Sequence, residues 1–155
     1  PRELACVHAG VCQNPTEIHL VHGHGAVGGI WEFASPEYRE KWWPTVQDPK
    51  ELPTMDCLPL QEILDHHIER TEQGFHYFDF FSLDVEGGEW NVLQSIDWDQ
   101  TAFGILFLET PDSTGLERDS IVTYVQRKGY RYLGEKNNSL WFLHGDFHEI
   151  YQHVT

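Results

Sequence analysis

The feature that most limits how this chain can fold is a dense apolar run, Phe78-Asp79-Phe80-Phe81-Ser82-Leu83, which stops at Asp84-Val85-Glu86-Gly87-Gly88-Glu89. The run has little of the in–out alternation of a half-solvated strand. It predicts a strand covered on both faces, as in parallel sheets flanked by helices. Gly87-Gly88 breaks the strand, and Glu89–Ile96 then places Trp90, Leu93 and Ile96 at helical spacing. A second apolar run, Phe103–Leu108, ends in Glu109-Thr110-Pro111, and Glu117–Lys128 reads as a helix closed by Gly129. Tyr130–Leu133 and Ser139–Leu143 predict strands around a tight turn at Asn137-Asn138. This order gives an α/β class with a mostly parallel sheet and a carboxy-terminal antiparallel hairpin.

Upstream of Leu60 the pattern is looser. Leu4–Cys12 and Glu17–His22 predict short strands joined through Gln13-Asn14-Pro15-Thr16 as a hairpin-like pair. The glycine-rich stretch Gly23–Gly29 reads as a loop, and Ser35-Pro36-Glu37 starts a short helix that ends near Trp43-Pro44. Residues 44–54 contain Pro44, Pro49 and Pro53 and predict an irregular surface segment. Leu60, Ile63, Leu64 and Ile68 then fall on one face of a helix of about three turns, ended by Gly74.

The 155 residues fit one domain, and a chain of this size can bury roughly 70% of its unfolded surface. A formal net charge of −15, with only ten Lys and Arg, excludes nucleic acid as a partner, because phosphate binding needs clustered cations. No apolar run approaches the roughly 18 residues of a membrane span. Cys6, Cys12 and Cys57 form no CxxC pair, so free thiols in a reducing compartment are expected; this leans toward the cytoplasm. A Cys6–Cys12 disulfide is the alternative. His144 and His148 stand four apart, as helical metal ligands would, but Gly145 and Asp146 interrupt them and no metal site is expected. Trp31, Trp42 and Trp43 are expected in a core or interface rather than lining a sugar site.

Open α/β sheets bind ligands at the carboxyl ends of their strands. That rule selects Asp84 and Glu109, with the backbone of Gly87 and Gly88 free to turn sharply or to approach a ligand. Three acids within six positions could also hold a divalent metal or a sugar. Glu86 and Glu89 have a plainer use, complementing the amino terminus of the next helix for about 0.3–1 kcal/mol.

Phe78–Leu93 resembles the signature of FkbM-type methyltransferases: a buried strand ending in Asp-Val-Glu-Gly, then a small residue, Glu and an amphipathic helix. Further matches follow in order. Cys57-Leu58-Pro59-Leu60-Gln61-Glu62-Ile63-Leu64 resembles the upstream helix start, Gly104–Glu109 the next strand, and Lys128-Gly129-Tyr130 the lead into the final hairpin. The family usually has Asp where Gln61 stands. The resemblance implies a Rossmann-like class I fold, S-adenosylmethionine as donor, and methyl transfer to an oxygen of a small molecule or glycan. For such a reaction a hydroxyl acceptor needs a base, for which Asp84 at the strand end is the first choice and Glu109 the second, while Glu86 and the backbone of Gly87 and Gly88 are expected, with Asp84, to shape the cofactor or acceptor site. It also implies two earlier strands, one ending in an acidic glycine-rich loop, which nothing before Leu4 supplies. Residues 1–155 are thus expected to form one amino-terminally truncated domain. Its Phe78–Leu83 strand would lack a neighbour and be open to self-association along the exposed edge. Two other readings compete: a non-catalytic α/β remnant that binds a partner or glycan, and a metal-dependent hydrolase using the same acids.

Overall fold

The computed structural model describes residues 6–23, 27–110 and 115–147, without the side chains of residues 115 and 116. His24, His148, His153 and Pro111 lie outside the described residues, as do most of the tail and part of the Gly23–Gly29 loop. The chain is α/β, with four α-helices and two mixed four-stranded sheets among these residues. It divides into two compact units, one formed by residues 1–69 and 86–96, the other by 70–85 and 97–155.

In the first unit β1 (Gly10–Val11), β2 (Thr16–Val21), β3 (Gly29–Ile30) and β4 (Thr54–Leu58) lie in the order β1-β4-β2-β3. The expected hairpin of the first two strands is absent, because β4 takes the place between them. It pairs parallel to β1 and antiparallel to β2, with Cys57 registered against both Gly10 and Thr16. Pro53 and Pro59 flank this strand and disguised it as an irregular segment running into a helix start.

Cys12 and Cys57 form a disulfide across the β1–β4 edge, with Cα atoms 5.7 Å apart, while Cys6 is free and exposed. Neither the expectation of free thiols nor the Cys6–Cys12 pairing holds. The partner of Cys12 is 45 residues away, brought near by a strand the sequence hid. The bonded sulfurs lie in a small core with Ile18, against which Ile30, Phe33 and Met55 pack.

Helix α1 (Pro36–Trp42) starts as expected: the Ser35 hydroxyl accepts the Tyr38 N–H at 3.1 Å and Pro36 sits in the first turn. It buries Tyr38 against Val21, Ala34 and Trp43. Trp43 is 3% exposed, but Trp42 is 41% exposed, contrary to its expected burial. Helix α2 (Leu60–His67) is shorter than expected, because Ile68 is already extended. Its first residue, Leu60, follows Pro59, which offers no side-chain cap. Ser95, at the end of α3 (Glu89–Gln94), supplies one instead, its hydroxyl accepting the Leu60 N–H at 3.0 Å and its carbonyl the Gln61 N–H at 3.2 Å.

In the second unit β5 (His76–Leu83), β6 (Thr101–Glu109), β7 (Tyr130–Lys136) and β8 (Ser139–His144) lie in the order β5-β6-β8-β7. Only β5–β6 here and β1–β4 in the first unit are parallel, so the expectation of a mostly parallel sheet is not met. The cause is the hairpin. Helix α4 (Gly115–Arg127) returns the chain so that β7 runs parallel to β6, but β8 folds back between them and pairs antiparallel with both. Asn137 and Asn138 make that turn with φ of 54° and 60°, the left-handed pair a two-residue hairpin turn requires.

Strand β5 also departs from expectation. It pairs only with β6 among the described residues, the edge position expected of a strand that lacks a neighbour, but Phe80 is 52% exposed, so the expected cover on both faces is not met. The core of this unit is Phe103, Leu106, Leu108, Leu140 and Phe142 with Ile121 and Val125 of α4. Tyr130 closes its lower end, its hydroxyl accepting the Phe103 N–H at 2.9 Å while burial pushes its pKa up to about 12. Within β6 only glycine fits at position 104, where a Cβ would meet the Asp79 carbonyl and the Tyr77 hydroxyl at 2.8 Å.

The disulfide closes a loop long enough to constrain the unfolded chain substantially. Cys57→Ser should lower the unfolding free energy by about 2–4 kcal/mol, read by urea denaturation with and without reductant. Equal stability of oxidised and reduced protein would show that the bond is not a structural tie.

Candidate functional site

The register of β5 on β6 determines where the two selected acids fall. Seven parallel pairs run from His76 with Thr101 to Leu83 with Leu108. One residue further along each strand come Asp84 and Glu109. Strands in a sheet are about 4.8 Å apart, so these two backbone positions are neighbours at the carboxyl end of the sheet, where the sequence placed them. Asp84 is exposed and Glu109 half-buried. Glu109 is also registered against Ser139 of β8, and the next residue, Thr110, donates its N–H to the Asn138 carbonyl at 2.9 Å. The β7–β8 turn thereby fixes the end of β6.

A cation that no motif or spacing in the sequence marks stands at this strand end. Arg118, in the first turns of α4, donates one guanidinium nitrogen to the Thr110 carbonyl at 3.0 Å and another to the Glu135 carboxylate at 2.6 Å. Both partners of that ion pair are partly exposed, so it contributes at most about 1 kcal/mol. Its clearer consequence is geometric: it ties α4 to the last residues of β6. No spacing rule pairs Arg118 with Thr110 in the sequence.

Between Val85 and Glu86 the backbone passes from the second unit to the first. Glu86 has φ of 51° and Gly87 of 94°, two consecutive left-handed residues that turn the chain from the strand into α3. Holding a non-glycine side chain in that region costs on the order of 1 kcal/mol. Glu86 is half-buried, and the Tyr38 hydroxyl donates to its carboxylate at 3.1 Å. A hydrogen bond to a charged group is worth about 1.5–3 kcal/mol, enough to offset the strain even after discounting for partial exposure. Gly87 meets only the Phe33 carbonyl within contact range, at 3.6 Å, so its requirement for glycine is conformational and not steric.

Glu89 corrects an expectation. Its position is helical and amino-terminal as foreseen, but it is 5% exposed, one of the few buried charged groups among the described residues, and its carboxylate also lies 3.5 Å from the Gly87 N–H. A buried carboxylate is held by more than the helix dipole. The acids therefore divide by environment: Asp84 faces solvent, Glu86 is pinned by a tyrosine and Glu89 is buried.

The sequence model of the Methyltransferase FkbM domain matches residues 1–132. The chain belongs to this methyltransferase family. No curated protein and no solved structure matches it. The matched region of this FkbM-domain protein includes Asp84, Glu86, Gly87, Gly88, Glu89 and Glu109 and the tyrosine that holds Glu86.

Two substitutions separate the conformational from the electrostatic requirements of this loop. Gly87→Ala should destabilise by about 1–2 kcal/mol through the left-handed backbone alone. Glu89→Ala should cost about 2 kcal/mol, more than the 0.3–1 kcal/mol of a solvated helix-terminal charge. Chemical denaturation of both variants checks this; a Glu89→Ala loss under 0.5 kcal/mol would return Glu89 to the role of a surface charge.

Proposed function

We propose that this protein transfers a methyl group from S-adenosylmethionine to an oxygen of a small molecule or glycan. We also take its parallel β5–β6 pair as part of a Rossmann-like class I arrangement. One observation carries the reading: Asp84 and Glu109 end adjacent parallel strands in a chain of a methyltransferase family. In open α/β sheets that is where ligands bind.

The residues present suit the donor. It supplies, when bound, a methyl group on a cationic sulfur. A carboxylate, such as that of Asp84 or of Glu86, complements a positive charge and can accept hydrogen bonds from ribose hydroxyls. The left-handed turn at Glu86–Gly87 takes the chain from the strand end into the next helix within a few residues, a path that glycine at position 87 permits without strain.

The acceptor side needs a base. A sugar or alcohol hydroxyl is a weak nucleophile until its proton is taken as the new bond forms. Asp84, exposed at the strand end, is the first choice to accept that proton at its carboxylate. Glu109, half-buried and one residue beyond the last registered pair, is the second. A positioned base contributes on the order of 10²–10⁴ in rate. Arg118 holds the end of β6 and so keeps Glu109 in place.

Asp84→Asn in the full-length protein tests the assignment, since the amide keeps shape and reach but cannot take a proton. The expected result is a maximal rate lower by about two to four orders of magnitude, with donor affinity changed far less and the melting curve retained. Near-normal turnover in a folded variant would remove Asp84 as the base and pass the role to Glu109. Glycan or protein binding without any methyl transfer by the wild type would favour the competing reading of a non-catalytic binding module.

A further inference from the structure

We infer that Tyr38 is a positioning residue for the donor site, acting through Glu86 and touching neither donor nor acceptor. The inference rests on the methyl-transfer reading for its functional half only. Its structural half stands on the geometry of the first unit.

Tyr38 and Glu86 are 48 residues apart and joined by a hydrogen bond of 3.1 Å. Tyr38 is 7% exposed, its ring wedged against Trp43 at 5.2 Å between centroids in an edge-on arrangement. The helix that carries it is fixed at its start by the Ser35 cap. It is fixed at its middle by Arg39, whose guanidinium donates to the Trp31 carbonyl at 2.7 and 3.0 Å and lies over the Trp31 ring. Strand β3 closes the other side, since a Cβ on Gly29 would come within 3.3 Å of the Trp43 ring and 3.8 Å of the Glu86 Cβ.

A phenol this constrained is an expensive way to satisfy a carboxylate that water could solvate. Its effect is directional. The hydroxyl fixes one oxygen of Glu86, and with it the left-handed residue that begins the turn at Glu86–Gly87. Without it, a non-glycine residue at φ of 51° loses the contact that offsets its strain, and the turn relaxes toward conformations with negative φ. The Gly87 N–H, which lies 3.5 Å from the Glu89 carboxylate, and the buried backbone of Gly88 would then lose their fixed placement. Preorganisation of that kind appears in donor affinity and not in the proton-transfer step.

The test uses Tyr38→Phe, Glu86→Gln and the double variant of the full-length protein. Tyr38→Phe keeps the ring and its packing. The expected structural result is faster amide exchange at Gly87 and Gly88 by about tenfold, the fold-change that loss of one hydrogen bond to a charged group produces, with exchange in β2 and α1 unchanged. Tyr38→Phe in the Glu86→Gln background should add much less than it does alone. The expected functional result is a KM for S-adenosylmethionine raised about tenfold with kcat within about twofold. Additive effects in the double variant, unchanged exchange at Gly87 and Gly88, or a fall in kcat with constant KM would each overturn the proposal. If Tyr38→Phe does not fold, exchange in Glu86→Gln decides: protection of Gly87 and Gly88 equal to wild type overturns it. Wild-type protein without methyl transfer would sink the methyl-transfer reading instead, and leave the exchange measurement to judge the tyrosine.

Discussion

Parallel pairing of β5 with β6 is the constraint on which the candidate site depends. The seven registered pairs between them end with Leu83 against Leu108, both nearly fully buried. A slip of one residue would turn every side chain of β5 to the opposite face and expose Leu83. The apolar cost of that slip keeps Asp84 level with Glu109. The acids are thus positioned by the leucines before them, and an exposed carboxylate acquires a defined place without making a hydrogen bond of its own among the described residues.

A second constraint works on the residues that follow. The turn from β5 to α3 requires left-handed conformations at Glu86 and Gly87, of which glycine supplies only the second without strain. The remaining cost falls on Glu86, and the hydrogen bond from Tyr38 is of matching size. A sequence that placed glycine at position 86 would make the turn more cheaply and lose the carboxylate. The acid at position 86 is instead held by a buried phenol, a contact that glycine there would forfeit.

Much of the second unit was legible because its signals are local. Asn137-Asn138 specified a hairpin turn, Gly129 a helix end, and the apolar runs two strands whose ends carry the acids. The first unit was less legible, for a physical reason in each case. Strand β4 is five residues between two prolines, and its partners are set by tertiary pairing that no local pattern encodes. Missing that strand hid the proximity of Cys12 to Cys57. The burial of Glu89 and the Tyr38–Glu86 contact belong to the same class, since both depend on which distant segment packs beside α3. Strand β5 differs for another reason: its aromatic content signals burial on both faces, whereas Phe80 on it is 52% exposed.

The measurement that bears most directly on the central claim is an amide-resolved titration of the full-length, nitrogen-15-labelled protein with S-adenosylhomocysteine, the demethylated form of the proposed donor. The account predicts saturable shifts concentrated at residues 84 to 88 and at Glu109 and Thr110, with the amides around the Cys12–Cys57 bond unmoved. Saturable binding that leaves the ends of β5 and β6 unshifted, or no binding at all, would contradict it.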